Sequence, residues 1–313
     1  ERENFSDGQS SFAAEGQRSI LRYQGTLTLN RRNTLAFGAE REDMEANDDD
    51  SDIKGYFALY EFRPLESLTL TGGLRHDDHN RFGGETTARV AAAFNPTDTL
   101  TLRTSWGEGF KAPTIFQTTF ICGFCGLSEP NADLAPETSE AFDAGLEWRS
   151  SDGRFAAGLT VFDQSSKNLI DFSFTAGYDN IERVDSRGAE LFARMQLSDS
   201  LGLDVNYANI DAEDGDGVER PRLPRHSGDL TLSWDPASPF SGTLLLRYNG
   251  EEADRGDATV DDWTRFDLNG RWAVSGSLEL FARIENILDE DYQQILGYGT
   301  PGRSAYVGAR LRY

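Results

Sequence analysis

Long apolar runs are missing from this sequence: no segment approaches the roughly 18 consecutive apolar residues that a membrane-spanning helix needs. That absence leaves strand-built membrane proteins open, because a barrel strand alternates apolar with polar residues and its hydropathy averages low. Basic residues are also short, 30 Lys+Arg against 53 Asp+Glu, for a net charge of −23 over 313 residues. Such a balance argues against nucleic acid as a partner, since its phosphates call for a basic surface. Histidine is limited to His76, His79 and His226, and cysteine to Cys122 and Cys125 within Ile-Cys-Gly-Phe-Cys-Gly. The further ligands of a zinc site are absent at suitable spacing, and no βαβ pattern surrounds the pair to make it a redox centre. A short disulfide in an oxidising compartment is the better reading. No nucleophile and base are placed by a motif, so an enzyme is not expected. The sequence has no starting Met and no signal-peptide pattern at Glu1–Ser10, so its first residue is expected not to be the natural start.

What is present is alternation, repeated along the whole chain. Leu68, Leu70 and Leu74 share one parity and Thr69 and Thr71 the other. Phe142, Ala144, Leu146 and Trp148 alternate with Asp143 and Glu147; Phe266, Leu268 and Trp272 alternate with Arg265, Asp267, Asn269 and Arg271. Fifteen such segments are predicted as strands, at 17–29, 33–44, 52–63, 67–77, 86–95, 99–108, 139–150, 154–173, 182–198, 201–211, 226–235, 241–250, 263–274, 277–287 and 303–313. No stretch reads as a long amphipathic helix.

The links between segments alternate in length. Asn30–Asn33, Pro64–Ser67, Asn95–Asp98, Ser150–Gly153, Ser198–Ser200, Asp235–Pro239 and Val274–Ser277 are short; Phe110–Thr138, Ala212–Arg225, Glu251–Asp262 and Leu288–Gly302 are among the long ones. Short turns on one rim and long loops on the other describe a bacterial outer-membrane barrel. Phe94, Trp148, Trp234 and Tyr313 lie at strand ends on the apolar parity, as an interfacial aromatic girdle requires. A soluble sandwich accounts for the alternation equally well but not for the alternating link lengths. The fold class is therefore all-β, an antiparallel transmembrane β-barrel.

Seven blocks, in order, carry a family resemblance. They are Gly107-Glu-Gly-Phe-Lys-Ala-Pro-Thr114, Asn131-Ala-Asp-Leu-Ala-Pro-Glu137, Asn168-Leu-Ile-Asp171, Arg187-Gly-Ala-Glu190, Arg222-Leu-Pro-Arg-His226, Glu285-Asn-Ile-Leu-Asp-Glu-Asp-Tyr292 and Gly297-Tyr-Gly-Thr-Pro-Gly-Arg303. With these the chain resembles the C-terminal barrel part of the TonB-dependent outer-membrane transporters, most of all their cobalamin branch. Residues 1–106 match in pattern only. The resemblance implies a barrel of about 22 strands closed around an N-terminal plug, of which this chain supplies the last fifteen. Residues 1–313 then form one barrel part, with 1–16 the remnant of an extracellular loop, 17–313 strands and loops, and the plug absent. An open sheet in lipid leaves backbone groups unpaired, so a stable barrel is not expected from these residues alone; forced closure of 17–29 onto 303–313 is the alternative.

The implied activity is energised import of a bulky, scarce nutrient, a corrinoid first and a ferric siderophore close behind; the other reading is a passive porin without a plug. Implied partners are the TonB complex through the missing plug, outer-membrane lipid, and the barrel assembly machinery, through a last strand ending on Tyr313. Phe116, Phe120 and Phe124, pinned by a Cys122–Cys125 link, and Tyr178, Trp263 and Tyr298 in or near other loops, are the candidate ligand contacts. Aromatic side chains give rigid contact area to a bulky ligand, and loop–loop packing is the competing use. The acidic loops Asn47–Asp52 and Asp211–Glu219 are weak calcium candidates, the second through Asp214 and Asp216; solvated loop charge is the more ordinary explanation. No other cofactor is implied.

Overall fold

The computed structural model describes residues 2–6, 9–46, 49–256 and 258–312; the side chains of 2–14, Phe124 and Glu182 lie outside that description. Fifteen strands are hydrogen-bonded in sequence order in one sheet. They are β1 (Gly16–Asn30), β2 (Asn33–Ala46), β3 (Asp49–Leu65), β4 (Leu68–His79), β5 (Gly83–Thr97), β6 (Leu100–Lys111), β7 (Glu137–Arg149), β8 (Phe155–Ser173), β9 (Gly177–Ser198), β10 (Leu201–Asp214), β11 (His226–Trp234), β12 (Phe240–Asn249), β13 (Trp263–Ala273), β14 (Leu278–Glu285) and β15 (Ser304–Leu311). Among the described residues, β1 and β15 each have a hydrogen-bonded neighbour on one side only, so the forced closure considered above is not formed. Among the described residues, no helix is long and apolar enough to cross a membrane.

Two small hairpins lie outside this sheet, one before β1 and one between β12 and β13. Arg2–Ser6 pairs with Gln9–Ala14 inside the stretch expected to be a loop remnant, and Glu252–Ala253 pairs with Thr259–Val260. Several strands run further at their long-loop ends than alternation indicated. The acidic stretch 47–52 is mostly β3, with Asp50 and Asp52 opposite Glu45 and Asp43 of β2; Asn47 and Asp48 lie outside the described residues.

The distribution of polarity is inverted relative to a water-soluble sheet. On the apolar parity Leu21 is 75%, Leu74 61% and Val307 87% exposed, whereas Glu42, Asp77, His79 and Asp267 are buried. A sheet in water hides the first set and wets the second; lipid on one face reverses that order. Charges on the other face pair across strands. Glu279 of β14 takes Arg310 of β15 at 2.9 Å and Arg271 of β13 at 3.8 Å, and Arg283 lies 4.5 Å over the Tyr306 ring. In β1 and β2, Arg18 meets Glu42 at 2.5 Å and Arg22 bonds Glu40.

The chain forms two compact units, with β1–β4 in the first and β10–β15 in the second, and β5–β9 contributing segments to both. In the first unit, Phe94 stands exposed at the end of a strand before a short turn. In the second, Trp148 and Trp234 do the same, and Phe240 stacks on Trp272 at 5.5 Å. Tyr313 lies outside the described residues. The short turns are built by local side chains. Asn30 Oδ1 accepts from the Arg32 N–H at 2.9 Å, and Asp152 accepts from the Ser150 hydroxyl and the Arg154 N–H at 2.5 and 3.1 Å. Those two donors hold the Asp152 carboxyl below the usual carboxylate range.

Candidate functional site

The candidate site is the loop between β6 and β7 in the first unit. Its one helix, α1 (Ile115–Thr119), starts at a capping box: Thr114 Oγ1 accepts from the Gln117 N–H at 3.2 Å while Gln117 Oε1 accepts from the Thr114 N–H at 2.9 Å. Ile115 is buried and anchors the turn, and the helix touches β2 and β3, four and three strands away from β6 in the sheet order. After α1, Cys122 and Cys125 are joined in a disulfide across a short 3₁₀ turn, with Cα atoms 5.1 Å apart and Cys122 almost wholly buried.

The β8–β9 hairpin closes over this loop. Phe116 and Phe120 lie 5.2 Å apart, and Tyr178 meets them edge-on at 5.9 and 5.5 Å. Phe172 meets Phe120 at 5.9 Å and Tyr178 at 5.3 Å, and Phe174 meets Phe172 at 5.5 Å. The cluster is half open: Phe116 is 45% and Phe174 67% exposed. Edge-to-face aromatic packing of this kind adds about 0.5–1.5 kcal/mol per pair beyond burial, enough to fix the rings before any ligand arrives.

Polar staples hold the hairpin down. Asn180 accepts from the Ala135 N–H at 2.8 Å and donates to the Ala135 and Asn168 carbonyls at 3.0 and 2.6 Å. Asn131 donates to the Tyr178 carbonyl at 3.2 Å. At the base, Glu137 takes Lys111 at 2.8 Å and the Ile170 N–H at 3.3 Å. Gly177 turns the hairpin at φ 71°, where an added Cβ would sit 3.3 Å from Leu127.

Of the aromatic residues singled out in the sequence, the structure brings Phe116, Phe120 and Tyr178 together, and the Phe124 side chain lies outside the description. Trp263 has a different setting. It lies in the second unit, 7% exposed, packed on Tyr292 at 4.6 Å. The parity of β13 sets it with Arg265 and Asp267 on the charged face, which is why a strand-start aromatic that reads as a loop contact is buried. Tyr298, also in the second unit, is 71% exposed and meets no other ring among the described residues. Asp214 is a turn residue: its Oδ1 accepts from the Asp216 and Val218 N–H groups, both at 3.0 Å. Phe172, Phe174 and Asn180 escaped sequence reasoning. The phenylalanines follow ordinary strand alternation, and a single loop Asn has no period; the signal was the alternation carrying Phe172 and Phe174 to the loop end.

A second staple joins loops of the second unit. Asp254 accepts from the Leu296 and Arg255 N–H groups at 2.9 and 2.8 Å and pairs with Arg222 at 2.9 Å. These donors, led by the Leu296 N–H, hold its carboxyl below the ordinary range. Nearby Glu252 is pushed the other way by burial. Asn286, 1% exposed, bonds the Glu290 carbonyl and N–H, both at 2.9 Å, and shapes the link after β14.

An antiparallel sheet with one face for lipid, one charged face and long structured loops at one end defines an outer-membrane β-barrel protein of Gram-negative type. Its sequence matches the family model "TonB dependent receptor-like, beta-barrel" over residues 4–287, and the chain belongs to that family. It is similar to the vitamin B12 transporter BtuB of Vibrio cholerae, 26% identical over 257 residues, which are 78% of this chain and 40% of that protein. It is equally similar to the iron-regulated outer membrane virulence protein of the same species, 26% over 283 residues, 81% of this chain and 43% of that one. Among solved structures, the ferric enterobactin receptor PfeA of Pseudomonas aeruginosa superposes with a TM-score of 0.83 at 19% identity, over 98% of this chain and 55% of that one. The siderophore receptor PirA of the same species gives 0.76 at 21%, over 95% and 55%. The chain thus spans about half the length of these proteins, or less.

Proposed function

We propose that the whole protein is a TonB-dependent importer of a bulky, scarce nutrient, with a corrinoid such as cobalamin as first cargo and a ferric siderophore as second. In this reading it is a transporter and not an enzyme. The half-open aromatic cluster around Phe120 and Tyr178 carries it. The cluster is a rigid apolar platform on an otherwise acidic loop surface, pinned by a disulfide and by Asn180, and suited to a large flat-sided ligand. Both cargo classes have support among the relatives, one named for vitamin B12 and others for siderophores. The TonB complex would act through a plug preceding this part, and the barrel assembly machinery would read the last strand, ending at Tyr313.

The test is binding to the full-length receptor in detergent, with cyanocobalamin and ferric enterobactin as probes. One of them is expected to bind saturably. The double variant Phe116→Ala/Phe174→Ala is expected to weaken that binding about ten-fold or more, given about 1–3 kcal/mol for loss of large aromatic contacts. Failure of both probes to bind, or unchanged affinity in the variant, contradicts the reading.

A further inference from the structure

The turn between β1 and β2 carries charge opposite in sign to that of the chain. Arg31 and Arg32 stand side by side at its tip, in a chain of net charge −23. Of the short links between strands it alone carries basic residues; Glu66, Asp98, Asp152, Asp199 and Asp235 put a carboxyl in five of the other six. Both arginines are exposed, and among the described residues neither guanidinium has a hydrogen-bond or ion-pair partner. The backbone that presents them is fixed. Asn30 Oδ1 accepts from the Arg32 N–H at 2.9 Å and from Asn33 Nδ2 at 2.7 Å, and the Tyr60 hydroxyl donates to Asn33 Oδ1. The Arg63 N–H donates to the Arg32 carbonyl at 2.8 Å and so ties this turn to the one between β3 and β4. Together the two turns hold Arg31, Arg32 and Arg63 against Glu61 and Glu66, and Glu61 is already paired with Arg63 at 2.8 Å.

The surroundings point to the kind of anion that meets this charge. Leu27 lies opposite Leu35 and Leu35 opposite Tyr60, with Phe62 opposite Asn33, all on the lipid-facing parity. Leu27, Tyr60 and Phe62 are exposed on that face, as is Leu65 on the neighbouring turn. Arg32 follows one residue beyond the row that holds Phe62, about 3 Å along the strand. The arginines therefore leave the sheet where the apolar band and its tyrosine end, which is the depth of lipid headgroups. An arginine stem lies along apolar surface while its charged end reaches the interface. A phosphodiester matches a guanidinium in charge and in geometry, since two parallel N–H donors meet two oxygens.

We propose that Arg31 and Arg32 bind the phosphate of an anionic phospholipid, such as phosphatidylglycerol, in the leaflet at the short-turn rim. Dissolved phosphate offers the same oxygens but lacks the acyl chains that Leu27, Phe62 and Leu65 would cover. The site is independent of the cargo.

The test uses the full-length receptor carrying Leu65→Cys labelled with a bimane fluorophore, in phosphatidylcholine vesicles that hold a fixed fraction of brominated lipid. Bromine on an acyl chain quenches a fluorophore that the chain touches, so the quenching reads which lipid sits beside the turn. Brominated phosphatidylglycerol is expected to bind there about ten-fold more strongly than brominated phosphatidylcholine, the scale set by two basic groups at an anionic lipid. In Arg31→Gln/Arg32→Gln the ratio is expected to fall to about one, as follows from removing both charges, with the heat-modifiable migration of the parent retained to show that the barrel is folded. Equal quenching by the two lipids in the parent leaves the arginines to a periplasmic partner and overturns the proposal, as does a preference that survives in the double variant. A preference abolished by inorganic phosphate at constant ionic strength makes the turn a site for a free anion, and equally overturns it.

Discussion

Two carboxyl groups in one loop of the second unit titrate in opposite senses. The Asp254 carboxyl is held low by the N–H groups of Leu296 and Arg255 and by Arg222, so the stability it contributes is fully present above the unfolded value near pH 3.9 and is lost as pH falls through its lower folded value. The Glu252 carboxyl is pushed up by burial, so its charge opposes folding above its raised value, and the penalty vanishes below about pH 4.3. Accordingly, Asp254→Asn is expected to speed hydrogen exchange at residues 220–222 and 294–297 at pH 7, a change the parent shows only in acid. Glu252→Gln is expected to slow exchange in the 251–262 loop at pH 7 and to change nothing near pH 4. Equal effects of Glu252→Gln at both pH values would show that its charge is not the cause. At the aromatic cluster, Asn180→Ala strips one donor and two acceptors of their partner, with an expected local cost of about 1–3 kcal/mol. Exchange protection of Ala135 reads it directly.

Residue detail was legible mainly through the motif blocks. The non-glycine residues with positive φ among those described are Asn168, Arg222, Asn286 and Asp289, and all four fall inside the blocks that carried the family resemblance. Asn and Asp visit this conformation most readily; Arg222 stays there with its N–H bonded to the Ala253 carbonyl at 2.8 Å and its side chain on Asp254. Arg222, Asn286 and Asp289 lie in links between strands, where the backbone leaves the strand path. What the blocks did not show was which loops meet, because Asn180 and Ala135, or Arg222, Asp254 and Leu296, are far apart in sequence and share no period.

At the scale of strands, alternation was enough to place all fifteen, since the pleat sends successive side chains to opposite faces and lipid punishes a slip of one residue. It was blind to the strand extensions beyond the apolar band, where neither face meets lipid and polarity ceases to alternate; Asp49–Ser51 and Ala212–Asp214 are instances. The short helix Ile115–Thr119 was also hidden, because its signal is a capping box rather than a long amphipathic stripe. The lipid face makes a quantitative prediction. Leu268 lies midway along β13 on the exposed apolar parity, opposite Leu244 and Ile284. Leu268→Arg in the full-length receptor is expected to cost about 2–4 kcal/mol of folding free energy in lipid vesicles, and Trp272→Arg, near the short-turn rim, about 0–1 kcal/mol beyond its lost packing. Equal costs at the two depths, read by denaturant titration, would contradict the assignment of this face to lipid.

For the molecule as a whole, the sheet of fifteen strands presents two edges, β1 and β15, each with one hydrogen-bonded neighbour among the described residues. In lipid each unpaired backbone group costs several kcal/mol, so residues 1–313 expressed alone are expected to stay out of a heat-modifiable monomeric barrel form that the full-length receptor adopts. In the proposed import reading, transport depends on TonB as well as on these strands and the pinned aromatic loop. Uptake by whole cells is therefore the most direct measurement: radiolabelled cyanocobalamin supplied to Gram-negative cells that lack their own transporter and make the full-length protein, with and without a working TonB. The account predicts saturable uptake that disappears without TonB; uptake that does not saturate and is equal in both strains would make the protein a passive pore and contradict it.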